Sequence, residues 1–219
     1  LDFFWDCGIE LYEAYGITEA GMVAWNKPGS KNIGTVGKMA EPDTVILGED
    51  NEVIVCRDKP LSLGYFESSK EDAINTFRDG NMVATGDIAV FDEEGFLSIV
   101  GRKKDAIITK SGEKFHPEPV ELMLNNCADV DDAVLLGGGD IAGVVALISL
   151  PKKAREVKQD DVKQRVKQHV VSVNAFLPDY QKITRTAFTE LEFSAENGFR
   201  TKNLKLNRNA IHQFYLSLK

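Results

Sequence analysis

Between Lys38 and about Val100 the apolar residues come in short runs, Thr44-Val-Ile-Leu47, Glu52-Val-Ile-Val-Cys56, Ile88-Ala-Val-Phe91 and Phe96-Leu-Ser-Ile-Val100, separated by Gly, Asp, Asn and Pro. Runs of this length, rich in β-branched and aromatic residues and bounded by turn formers, predict the antiparallel strands of a small barrel or sheet. Inside this stretch Ser68 or Ser69, with acidic residues just after, predicts the cap of a helix running through Phe77. Beyond Arg102 the pattern becomes mixed. Pro117 and Pro119 suit the opening turn of a helix to about Asn125. Asp132 to Leu136 and Gly143 to Leu150 read as paired strands, with Gly137-Gly-Gly-Asp140 as their hairpin turn. Val162, Val166, Val170 and Val173 fall on one face of a helix opened by Asp160 or Asp161 and ended by Pro178. Ile183 to Leu191 is a further strand and Leu206 to Leu218 a last helix. The predicted class is α+β, a small antiparallel β-barrel-like subdomain followed by a mixed α/β domain.

The pattern also divides the chain. Residues 1–37, a short amphipathic segment, a loop around Tyr15 and a Gly/Pro-rich connection, read as the end of a larger domain. Residues 38–100 form the β-rich subdomain, 101–105 a linker and 106–219 the C-terminal domain. A chain of 219 residues buries a sizeable core. With 26 basic and 34 acidic side chains the net charge is −8, which argues against a wide nucleic-acid footprint. Cys7, Cys56 and Cys127 are odd in number and far apart, and His116, His169 and His212 lack metal-ligand spacing, so neither a disulfide frame nor a structural zinc site is expected. The apolar stretch from Ile141 to Leu150 is too short to span a bilayer, and a cytoplasmic protein is expected. The first residues, Leu-Asp-Phe-Phe-Trp-Asp, have neither Met nor a signal-peptide pattern and read as a cut inside a longer protein.

Three segments carry candidate chemistry. Tyr15-Gly-Ile-Thr-Glu19 combines an aromatic ring that can lie on a base, a hydroxyl for a phosphate and a carboxylate for Mg²⁺. Asp87 in Thr85-Gly-Asp87, placed on a tight turn, can accept both hydroxyls of a ribose diol, and Arg102 in Gly101-Arg-Lys-Lys-Asp105 can add donors to the same nucleotide. Taken singly, each segment equally suits a plain turn or a solvated basic loop.

In order, and with Gly34-Thr-Val-Gly37, Gly64-Tyr-Phe66, Gly95-Phe-Leu97, the run from Ile107 to Pro117, Glu118, Glu121 and Asn203-Leu-Lys205 followed by Arg208, these segments resemble the C-terminal portion of the adenylate-forming enzymes. That superfamily includes acyl-CoA synthetases, firefly-type luciferases and peptide-synthetase adenylation domains. The resemblance implies a fragment lacking most of a large N-terminal domain, where the phosphate loop and most of the acyl pocket would lie, so the fragment alone is expected to be inactive. It implies ATP/AMP bound by Tyr15, Gly16, Thr18, Asp87 and Arg102, Mg²⁺ held by Glu19, and catalysis by Lys205 with Thr18 and Glu19. The C-terminal domain would be mobile about a hinge at Lys104. In one pose Lys205 would serve acyl-AMP formation; in the other the segment from Ile107 to Phe115 would replace it, with Gly112 leaving room for the thiol-bearing arm of coenzyme A. The wording of Lys103-Lys-Asp-Ala-Ile-Ile108 resembles fatty-acid and related acyl-CoA ligases more than amino-acid-activating modules. A carrier-protein acceptor, plain acyl-AMP formation, and a non-catalytic binding module remain as alternatives. Two places depart from the family pattern. Asn81-Met-Val-Ala84 stands where an aromatic pair is common, and Asn203-Leu204 where Thr-Gly precedes the final lysine.

Overall fold

The apolar runs between Thr44 and Val100 all become strands in a computed structural model, which describes residues 2–59, 62–67, 74–79, 81–152 and 159–218. They are β4 (Val45–Leu47), β5 (Glu52–Cys56), β7 (Met82–Phe91) and β8 (Leu97–Arg102), joined by the short β6 (Phe77–Arg78) in one five-stranded antiparallel sheet. The long β7 is its spine. β5 lies along one edge of β7, while β6 and β8 share the other. The predicted helix from Ser68 or Ser69 falls largely outside the described residues, and its last predicted residue, Phe77, is in β6.

Upstream, a short helix α1 (Asp2–Asp6) precedes β1 (Ala14–Ile17), β2 (Gly21–Trp25) and β3 (Lys38–Met39), a three-stranded antiparallel sheet. Val23 and Ala24 of this sheet, with Ala20 of the turn before β2, pack in one core with Val45, Val53, Val55, Val83, Ala89 and Leu97. The stretches 1–37 and 38–100 therefore bury their apolar faces together.

The chain separates into two compact units, Leu1–Lys104 and Asp105–Lys219. The second opens with a small hairpin, β9 (Ile107–Ile108) and β10 (Lys114–Phe115), followed by helix α2 (Glu118–Asn125). Its centre is a three-stranded sheet of β11 (Asp132–Gly138), β12 (Ile141–Ser149) and β13 (Ile183–Thr189), with β11 antiparallel and β13 parallel to β12. Helix α3 (Gln159–Asn174) lies between β12 and β13 in sequence, the kind of crossover that a parallel pair requires. Period-two alternation sends Ala133, Leu135, Ala146 and Ile148 into a core with Leu124 and the valine stripe of α3. It sends Val134, Leu136, Val145 and Leu147 to the opposite face, against Ile211 and Tyr215 of α4 (Arg208–Ser217). Burial on both faces explains why Val144–Ile148 reads as a continuous apolar run. No helix among the described residues is long and apolar enough to cross a membrane.

Candidate functional site

In the first unit, Asp87 is 6% exposed and gripped from two directions. The Tyr15 hydroxyl donates to Oδ2 at 2.6 Å, and Arg102 Nε donates to Oδ1 at 2.6 Å. Burial first, then the bond to Asp87, pushes the Tyr15 phenol pKa upward, so the ring stays a neutral donor. The sheet explains the grip. Asp87 and Arg102 are direct cross-strand partners of β7 and β8, and charges of opposite sign so placed attract.

Two placements differ from the sequence reading. Tyr15 and Gly16 lie in strand β1, not in a loop; only Thr18 and Glu19 occupy the turn to β2. Thr85-Gly-Asp87 is not a tight turn between elements but an irregularity inside β7. Ala84 pairs with Ile54 and Ile88 with Glu52, so three residues of β7 stand opposite Val53 alone. Gly86 takes φ +71° there, a conformation open to glycine. The Thr85 hydroxyl closes the widened ladder, donating to the Val53 carbonyl at 3.0 Å and accepting from the Asp87 N–H at 3.0 Å.

Thr18 is exposed and Glu19 half-buried, with Glu19 Oε1 accepting from the Tyr65 hydroxyl at 2.5 Å. A single carboxylate suits Mg²⁺ that takes most of its oxygens from phosphate and water. Among the described residues no group of three or more His, Cys, Asp and Glu could hold an ion without such help.

In the second unit, Gly112 sits at the tip of the β9–β10 hairpin, where its N–H donates to the Thr109 carbonyl at 3.0 Å. A Cβ there would meet nothing within 4 Å among the described residues; φ +86° is what the position asks of its residue. Lys205 is exposed on a turn held at both ends. Its carbonyl accepts from the Thr201 N–H at 2.7 Å, and Arg200 donates to the Leu204 carbonyl at 2.6 Å while pairing with Asp132 at 2.7 Å. Asn207 then caps α4 by accepting from the Ala210 N–H. Arg208 follows with a fork to Glu121, 2.7 and 2.6 Å, and approaches Glu118 at 3.8 Å and Asp105 at 3.6 Å. Glu121 also accepts from the Leu135 N–H at 2.7 Å. Burial works to lower the Arg208 pKa, but the bonds to Glu121 and the surrounding carboxylates carry it upward. The backbone of Lys205 is thus pinned while its ammonium remains on the surface.

The segment 101–105 is not uniformly loose. Gly101 and Arg102 belong to the β8 ladder, and Lys103–Asp105 form a 3₁₀ turn in which Lys104 is exposed. Tyr15, Asp87 and Arg102 are brought together in the first unit; Gly112 and Lys205 belong to the second.

One residue of the first unit was not singled out by sequence reasoning. Glu52 opens β5, is 5% exposed, and accepts from Gly86 N–H at 3.2 Å, Lys103 Nζ at 3.0 Å and Arg78 at 3.3 Å. Its only sequence signal is a carboxylate at the head of a buried apolar run.

Residues 104–218 match the family described as AMP-binding enzyme C-terminal domain, and the chain belongs to that family of adenylate-forming enzymes. It is 27% identical to the long-chain-fatty-acid–CoA ligase FadD15 of Mycobacterium bovis, over 98% of this chain and 38% of that protein. It is 30% identical to the oxalate–CoA ligase of Saccharomyces cerevisiae, over 83% of this chain and 36% of the relative. The chain thus spans well under half the length of these relatives. Its fold matches the solved structure of the anthranilate CoA ligase AuaEII in complex with anthranoyl-AMP, with a TM-score of 0.76 at 21% identity, over 98% of this chain and 42% of that one.

Proposed function

We propose that the protein carrying this chain is an ATP-dependent acid–thiol ligase. It joins a carboxylic acid to ATP, releases pyrophosphate, and transfers the acyl group from acyl-AMP to the thiol of coenzyme A. The observation that carries this reading is the Tyr15–Asp87–Arg102 cluster. A buried carboxylate held by one donor on each oxygen keeps lone pairs for a ribose diol, and Arg102 adds positive charge beside it.

In this reading Glu19 holds Mg²⁺ against the phosphates and Thr18 donates to a phosphate oxygen. Lys205 stabilises charge as the carboxylate attacks the α-phosphate, a task suited to a compact ammonium on a flexible stem and a fixed backbone. Lys104 is the hinge about which the second unit changes pose between the two steps, and the β9–β10 hairpin with Gly112 serves the thiol step. A fatty acid is the proposed substrate class, supported by the name of the mycobacterial relative; the yeast relative is named for a short dicarboxylate.

The test is ATP–pyrophosphate exchange by the full-length protein against acids of graded length, followed by thioester formation with free CoA. Exchange that rises with alkyl chain length, and thioester formed on CoA, are expected. Exchange with no acid, or preference for short dicarboxylates, would contradict the activity or the substrate class respectively.

A further inference from the structure

Asp87 and Glu52 are the buried carboxylates of the first unit among the described residues, and only Asp87 has a part in the proposed nucleotide site. Glu52 is placed to govern it. A bulge gives up ladder hydrogen bonds, and its buried N–H groups must find other acceptors. Gly86, whose φ is +71°, finds Glu52 Oε1 at 3.2 Å. The other oxygen, Oε2, takes Lys103 at 3.0 Å and Arg78 at 3.3 Å.

Gly86 is the residue before Asp87, and Lys103 the residue after Arg102. One carboxylate on β5 therefore holds both β7 and β8 immediately beside the 2.6 Å Asp87–Arg102 pair. With its side chain 6% exposed, this anion is screened little by water, and the two cations offset its burial.

We infer that Glu52 is a positioning residue for nucleotide binding: it fixes the bulge that aims Asp87 and the strand end that carries Arg102, without touching the nucleotide. The inference rests on the proposed role of Asp87.

The test uses the full-length protein with Glu52→Ala, Glu52→Asp and Glu52→Gln, and Asp87→Ala as reference. KM for ATP and for the best acid are measured separately by pyrophosphate exchange, alongside melting temperature. Glu52→Ala and Glu52→Asp are expected to raise the ATP KM about tenfold with the acid KM unchanged. Glu52→Gln keeps an acceptor for Gly86 and should fall between wild type and Glu52→Ala. A purely structural role would lower the melting temperature and leave the ATP KM alone, which overturns the inference; so does an equal rise in both KM values, or a Gln variant no better than Ala. If Glu52→Ala does not accumulate as folded protein, the Asp and Gln variants decide by the same criterion. If Asp87→Ala itself leaves the ATP KM unmoved, the site reading fails; if it raises that KM while the Glu52 variants do not, only the role of Glu52 fails.

Discussion

Leu204 adopts φ +61°, the left-handed region, and is 66% exposed. Side chains resist that conformation because Cβ crowds the following carbonyl, by about 1–2 kcal/mol, while the greater freedom of an unfolded glycine offsets about 0.4–1 kcal/mol. Leu204 stands where the family pattern has glycine, and the turn before Lys205 keeps the glycine-type backbone. Leu204→Gly should therefore raise stability by about 0.5 kcal/mol, seen as a higher melting temperature. A lower one would mean that the leucine side chain contributes packing the structure does not show. Glu118 offers a second test at this scale. Burial raises its pKa above the ordinary 4.5, against opposition from its own backbone N–H and Arg208, and its Oε2 is buried with no hydrogen-bond partner among the described residues. A carboxyl whose folded pKa is raised binds its proton more tightly in the folded state, so stability falls as pH rises from 4.5 through the raised value. Glu118→Gln should be more stable than wild type at neutral pH, and the difference should vanish below pH 4.5, as measured by urea unfolding across that range. A difference independent of pH would remove ionisation as its cause.

At the scale of elements, what depends on local pattern was legible. The run Glu52–Cys56 is the strand that its β-branched residues predict, and the four valines of α3 are buried on one face. The hairpin predicted at Gly137–Asp140 does join β11 and β12, but it turns on Gly139 and Asp140 alone, Gly137 and Gly138 being paired in β11. What depends on partners distant in sequence was not. Tyr15-Gly looks like a loop, yet pairing with Ala24 and Met22 draws it into a strand. Thr-Gly-Asp looks like a turn, and only its register against Glu52 and Ile54 reveals a bulge inside a ten-residue strand. The parallel pairing of β12 with β13 needs a crossover that alternation cannot signal. The candidate site divides the same way. The residue types Tyr15, Asp87 and Arg102 are visible in short motifs, but their union rests on contacts across 72 and 15 positions. Arg208 meets Glu121 across 87 positions, and Glu52 meets Lys103 across 51. Long-range ion pairs leave no periodic trace.

For the whole molecule, the two units each have their own core, and the chain passes from one to the other at Lys104 and Asp105. The residues flanking Lys104 are tied inside their own units, Lys103 to Glu52 at 3.0 Å and Asp105 to Arg208 at 3.6 Å, while Lys104 is exposed. Two anchored flanks around one exposed residue suit a pivot, since a hinge needs only a few residues free to change φ and ψ. The proposed chemistry asks for such a pivot, with one ligase performing activation and transfer in turn and Lys205 needed for the first alone. The direct test assays the half-reactions separately in the full-length protein, by pyrophosphate exchange and by thioester formation from supplied acyl-AMP, for Lys205→Ala and Lys104→Pro. Lys205→Ala should slow exchange by about 10²-fold or more and spare transfer, because it removes charge stabilisation from one transition state. Lys104→Pro, by fixing φ at the pivot, should slow transfer and leave exchange largely intact. If each substitution slowed both half-reactions equally, the two-pose mechanism assigned to Lys104 and Lys205 would be wrong.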